Sequence, residues 1–217
     1  MRNTENVDKS QSGRSRAYER LTPESTVLLL VDHQSGLLSG VRDLAPDEVR
    51  HNVVAFARAA RVLRVPVVLT STAPMMWGPT LPELTAALPG VVNIERSVVN
   101  AWDEPRIRDA VRRTGRRKVL IAGITTHVCL AFPAMSAVAD GYDVYALLDA
   151  SGTWSELLQR TAIEQMRQAG VTITSGSAAF VEMLHDNASP IAGELYAALD
   201  LLATRYILQI TQADKSA

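Results

Sequence analysis

One cysteine, Cys129, stands in the 217 residues, so no internal disulfide can form and a reducing, cytoplasmic setting is expected. No apolar run approaches the roughly 20 residues that span a bilayer, which argues against a membrane partner. Neither sign of charge is in excess: 22 Lys and Arg against 23 Asp and Glu leave a net charge of −1. Such a balance offers little to a nucleic-acid backbone or an anionic lipid surface. No G-x-G-x-x-G follows the first apolar run, and no G-x-x-x-x-G-K-[ST] occurs, so nucleotide binding has no motif to rest on. The G-x-S-x-G turn of serine hydrolases is also missing. The four histidines show no metal-ligand spacing, and the loop Thr72-Ala-Pro-Met-Met-Trp77 holds neither His nor Asp. Neither a metal nor any other cofactor is therefore expected.

What is present is 47% hydrophobic sequence, enough for one full core. Residues 1–21 are polar, mix acids with bases and lack an apolar signal core, and they read as an N-terminal extension. Thr26 to Val31 is a continuous apolar run of strand length, as in a parallel strand covered on both faces. Further strands read at Val67 to Thr70, Val91 to Glu95, Val119 to Ala122, Asp143 to Leu148 and Thr172 to Ser175. Helical spacing lies between them, over Asp47 to Leu63, Arg106 to Arg113, from near Val128 to Ala139, and Glu156 to Ala169. The expectation is an α/β domain over 22–185, a mostly parallel sheet with helices on both faces. Residues 186–217 read as a helical C-terminal extension, with apolar surface for contacts between copies.

In such sheets ligands bind beyond the carboxyl ends of strands. Asp32, Thr72, Arg96, Thr125 to Cys129 and Thr153 all follow strand ends. Cys129 reads as opening a helix, where partial positive charge and unpaired N–H groups lower a thiol pKa and can hold an oxyanion. On position alone it is either a nucleophile or a small buried hydrophobe. Asp32 is either a turn residue or a general acid and base, and Arg96 either a surface charge or a partner of Asp32. Trp77, Trp102, Trp154 and Phe132 are candidates for lining a pocket.

Leu-Leu-Val-Asp32-His-Gln34, Arg96 with Asn100-Ala-Trp-Asp103, and Ala122-Gly-Ile-Thr-Thr-His-Val-Cys129 occur in that order. Together they resemble the isochorismatase-like cysteine hydrolase superfamily. Asp32-His-Gln-Ser-Gly-Leu-Leu-Ser39, Ala131-Phe-Pro-Ala134 and Asp149-Ala-Ser-Gly-Thr153 resemble its YcaC-like branch. The resemblance implies a three-layer α/β/α sandwich with strand order 3-2-1-4-5-6, which sets the first and fourth strands side by side. It also implies an Asp, Lys, Cys triad, matched here by Asp32, Arg96 and Cys129, with arginine in the lysine's place.

A cis peptide at Ile124–Thr125 is implied too, with an oxyanion hole from the Thr125 and Cys129 amides. Gln34, Asn100, Thr126, His127 and Phe132 are weaker candidates for shaping the pocket. The activity implied is metal-independent hydrolysis of a small amide-like substrate through a cysteine thioester. Isochorismatase-type vinyl-ether cleavage with Asp32 as acid, or a non-catalytic binding or assembly role, are the alternatives. A homo-oligomer, up to an octamer, is implied as well.

Overall fold

The computed structural model describes residues 18–201, 204, 206–207 and 209–211. Residues 1–17 of the expected N-terminal extension, and Leu202 in the C-terminal one, lie outside the described residues. Six strands form one sheet: β1 Thr26–Val31, β2 Val67–Thr72, β3 Asn93–Arg96, β4 Lys118–Gly123, β5 Asp143–Leu147 and β6 Thr172–Thr174. Their order is β3-β2-β1-β4-β5-β6, and every neighbouring pair is parallel. The topology is thus the expected one. The helices are α1 Ser35–Ser39, α2 Pro46–Val62, α3 Pro74–Trp77, α4 Pro82–Ala87, α5 Pro105–Arg113, α6 Ala131–Ala139, α7 Glu156–Gln168, α8 Gly176–Leu184 and α9 Ala192–Leu199.

Alternation along the strands divides the core between the two faces of the sheet. Leu28 and Leu30 of β1 with Leu120 and Ala122 of β4 face Val53, Phe56 and Ala60 of α2 and Phe180 of α8. Val27, Leu29 and Val31, with Val119 and Ile121, face Ile107 of α5, Ala134 of α6 and Met166 of α7. Both central strands are buried along their whole length, which is why they read as unbroken apolar runs.

Three expectations shift. The third strand runs to Arg96, so this residue ends β3 and does not follow it. Thr126–Leu130 forms a π-helical turn, and α6 begins only at Ala131. Cys129 therefore sits in an irregular turn ahead of the helix, not in its first turn. Finally, Ala192, Leu195 and Leu199 of α9 are buried in the same core as α2, so this part of the C-terminal segment closes the domain. Lys118 is held at the other end of the sheet, its ammonium donating to the carbonyls of Glu19 and Arg20 at 2.8 and 2.6 Å. That tie fixes where the described chain enters β1. Among the described residues, no helix is long and apolar enough to cross a membrane.

Candidate active site

Parallel register brings the carboxyl ends of four strands level: Thr72 pairs with Arg96, Val31 with Thr70, and Val31 also with Gly123. Asp32 is the first residue beyond β1 and takes φ 59°, a left-handed conformation that Asp tolerates better than most residues. Its N–H donates to Thr70 O at 2.9 Å, and its carbonyl accepts the Gln34 N–H at 2.8 Å. The chain is thereby turned so that the Asp32 side chain is wholly enclosed.

Arg96 lies two strands away from Asp32, about 9–10 Å at the usual strand spacing. Only a long side chain spans that gap. The guanidinium crosses over β2, where Thr70 Oγ1 accepts from it at 3.3 Å, and forks onto the carboxylate: Nη1 to Oδ1 at 2.6 Å and Nη2 to Oδ2 at 2.8 Å. Nη2 also donates to Val99 O at 3.2 Å. Both side chains are fully enclosed, so this is a buried bidentate ion pair.

Cys129 faces this pair from the turn after β4 and is 7% exposed. Gly123 makes the approach possible. A Cβ there would lie 2.9 Å from the Cys129 carbonyl carbon and 3.0 Å from the Leu130 nitrogen. The peptide bond Ile124–Thr125 is cis. Burial pushes the thiol well above its ordinary range, and the charge of Asp32 and a hydrogen bond to it push the same way. The Thr125 backbone N–H and the Arg96 charge oppose them and lose. The lowered thiol pKa expected from a helix N-terminus is therefore corrected. A helix terminus typically contributes about 0.3–1 kcal/mol, and the loss of hydration on burial outweighs it here. The resting sulfur is a protonated thiol facing a carboxylate.

A cavity of about 400 Å³ opens over the thiol, lined by Leu37, Thr72, Ala73, Met76, Trp77, Ser97, Val99, Thr125, Val128, Cys129 and Trp154. Of the aromatic candidates, Trp77 and Trp154 line it. Trp102 is instead core, edge-on to Tyr142 and donating from Nε1 to Asp140 at 2.7 Å.

None of the five weaker pocket candidates is among the residues that line this cavity. The Gln34 amide is spent on backbone: Nε2 donates to Thr72 O and Gly78 O, and Oε1 accepts from Thr72 N at 2.9 Å. It braces the loop that carries Ala73 to Trp77. Asn100 accepts from Trp102 N at 3.0 Å and donates to Ser136 Oγ at 3.0 Å, pinning the chain beyond Val99 to α6. Thr126 is buried, its N–H donating to Gly152 O at 3.0 Å. His127 bonds Thr153 Oγ1 at 2.7 Å and packs edge-on to Trp154, so it steadies a wall without forming one. Phe132 is partly exposed on α6. Leu37, Met76, Val99 and Val128, which do line the cavity, carry only generic apolar character in the sequence.

The segment Ala150 to Thr153 ties the site together from behind. Ala150 O accepts from His33 Nε2 at 2.9 Å, Ser151 Oγ accepts from Gly123 N at 3.0 Å, and Gly152 O holds Thr126. Burial drives the His33 imidazole down to about 4, so it stands neutral beside Asp32 and Nε2 carries the proton. Among the described residues, no group of three or more His, Cys, Asp or Glu could hold a metal ion.

Residues 26–178 match the isochorismatase domain family. The chain is 40% identical over 183 residues to the probable hydrolase YcaC of Escherichia coli (strain K12), covering 82% of this chain and 87% of that one. It is 30% identical over 171 residues to isochorismatase domain-containing protein 2 of Rattus norvegicus, covering 79% of each. The solved structure of YcaC from Pseudomonas aeruginosa superposes with a TM-score of 0.86 at 37% identity, covering 91% of this chain and 100% of that one. The Escherichia coli YcaC structure gives 0.85 at 38% identity, covering 94% and 100%. The chain therefore belongs to the isochorismatase family and is YcaC-like in sequence and fold.

Proposed function

We propose that this isochorismatase-family chain is a cysteine hydrolase that cleaves small amide-like C–N bonds without a metal. The observation that carries the reading is the enclosed Asp32–Arg96 pair beside Cys129, which itself lines a cavity. Because the thiol is protonated at rest, deprotonation accompanies attack: Asp32 takes the proton as Sγ bonds to the carbonyl carbon. The oxyanion is held by backbone N–H groups of Thr125 and Cys129. Asp32 then returns the proton to the nitrogen as the C–N bond breaks, and the amine leaves. Water, deprotonated by the same carboxylate, attacks the thioester and releases the acid with a regenerated thiol. Arg96 moves no proton, since a guanidinium stays charged in a protein. Its fork holds the Asp32 carboxylate in place.

Two properties of relatives support the reading. The Pseudomonas aeruginosa YcaC structure holds hexane-2,5-diol and covalent acrylamide, so that protein carries a group reactive toward a small neutral electrophile. In this chain Cys129 is the sole thiol available for such a bond. The Escherichia coli protein is described as an octameric hydrolase of unknown specificity. The direct test is hydrolysis of a panel of small amides by wild type and by Cys129→Ala, with loss in the variant expected.

Prolonged EDTA treatment is expected to leave turnover intact, because the loop Thr72 to Trp77 at the end of β2 holds neither His nor Asp. Loss of activity restored by zinc or iron would contradict this. A homo-oligomer is also expected in solution. Ile191, Tyr206, Ile207 and Ile210 expose apolar surface near the carboxyl end, which a second copy would cover. Light scattering should report a multiple of 23.6 kDa; a mass equal to one chain would refute it.

A further inference from the structure

Among the described residues, the cation beside the thiol, Arg96, spends four of its five N–H groups inside the fold and does not line the cavity. Arg96 carries five N–H groups. Two on Nη1 go to Asp32 Oδ1 and Thr70 Oγ1, and two on Nη2 go to Asp32 Oδ2 and Val99 O. The fifth, on Nε, is buried and without a partner. Among the described residues, no Lys, Arg or His lines the cavity above. Its walls are Leu37, Met76, Trp77, Val99, Val128 and Trp154, and its polar groups come from Thr72, Ser97, Thr125 and Cys129.

From this we infer that the site takes neutral amides with an apolar acyl group and rejects molecules that carry a carboxylate or phosphate. The inference rests on the cysteine-hydrolase reading and deepens it by naming the substrate class. An anion entering the cavity would surrender its hydration, meet no cationic side chain among the described residues that line it, and lie near the Asp32 carboxylate. A neutral amide loses far less on desolvation. Its carbonyl has the Thr125 N–H, its nitrogen has the hydroxyl residues Thr72 and Ser97, and its apolar tail meets the two tryptophans. A cavity of about 400 Å³ suits a small aryl or branched alkyl group, near the lower end of the range for ligand pockets. Carboxylated vinyl ethers fall outside this class, which weighs against the vinyl-ether alternative on grounds independent of the cysteine.

The test compares alkylation of Cys129 in the full chain by iodoacetamide and by iodoacetate, which differ in charge and hardly in size. An uncharged small thiol, 2-mercaptoethanol, gives the intrinsic ratio of the two reagents. Cys129 is expected to prefer iodoacetamide by at least about tenfold beyond that ratio. Equal or reversed preference overturns the inference, and so does a cysteine that neither reagent reaches. Met76 is 72% exposed at the cavity rim, and Met76→Lys places a cation there, which should narrow the preference severalfold. A preference untouched by that change would be steric and would overturn the assignment to charge. Hydrolysis supplies the second arm: butanamide and benzamide against succinamate and 4-carboxybenzamide. Selective alkylation without hydrolysis of any of them would refute the hydrolase reading and leave the charge selectivity standing.

Discussion

Arg96→Ala should destabilise the fold by about 3–5 kcal/mol, the usual cost of removing one partner from a buried ion pair. The variant deletes four hydrogen bonds and strands the Asp32 carboxylate in a fully enclosed position. It should also push the Cys129 thiol further up, because the Arg96 charge is one of two influences that lower it. Both effects are measurable, the first by denaturant unfolding and the second by the pH profile of alkylation. Arg96→Lys keeps the charge but loses the fork, and should fall between the two. The double variant Arg96→Ala with Asp32→Asn should recover part of the lost stability, since no uncompensated charge remains. Wild-type stability in Arg96→Ala would mean that the ion pair is not enclosed as described.

Cys129→Ser is expected to fold normally and to lose turnover by roughly 10³-fold or more, the scale seen when a catalytic nucleophile is removed. The hydroxyl can still donate to Asp32, so the packing around residue 129 has little reason to change. A hydroxyl is far more basic than a thiol, however, and a carboxylate is too weak a base to deprotonate it during attack. Asp32→Asn should fail as severely for a different reason. It can neither accept the thiol proton nor protonate the leaving amine, although its amide can still lie against Arg96. Retention of turnover in either variant, measured on the same amide, would move the chemistry elsewhere.

How much of this was legible beforehand differs from residue to residue. β1 and β4 were visible because burial on both faces makes an uninterrupted apolar run, and the polar residues that stop each run mark Asp32 and Thr125. Pairing Asp32 with Cys129 was not visible from periodicity. It required β1 and β4 to be neighbours, an order supplied by the family resemblance. The start of α6 was misplaced because Val128, Ala131, Phe132 and Met135 keep helical spacing straight through the π turn, which inserts its extra residue without breaking the apolar pattern.

Gln34 and Asn100 belong to the motifs that carry the family resemblance, which does not say where their side chains point. Whether such a side chain faces a cavity or a backbone carbonyl depends on loops that meet only in the fold, as Gln34 meets Thr72 and Gly78. The direction of the thiol shift failed for a related reason. The turn was visible in the sequence, but the depth of Cys129 and the nearness of the Asp32 charge were not, and those dominate.

The most direct measurement of the central claim is mass spectrometry of wild-type protein quenched during hydrolysis of a neutral amide. An acyl group, equal in mass to the acid product less water, is expected on the peptide containing Cys129. That adduct should accumulate when deacylation is slowed and should be missing from Cys129→Ala. Undiminished hydrolysis by Cys129→Ala, with the wild-type peptide unmodified throughout, would contradict it.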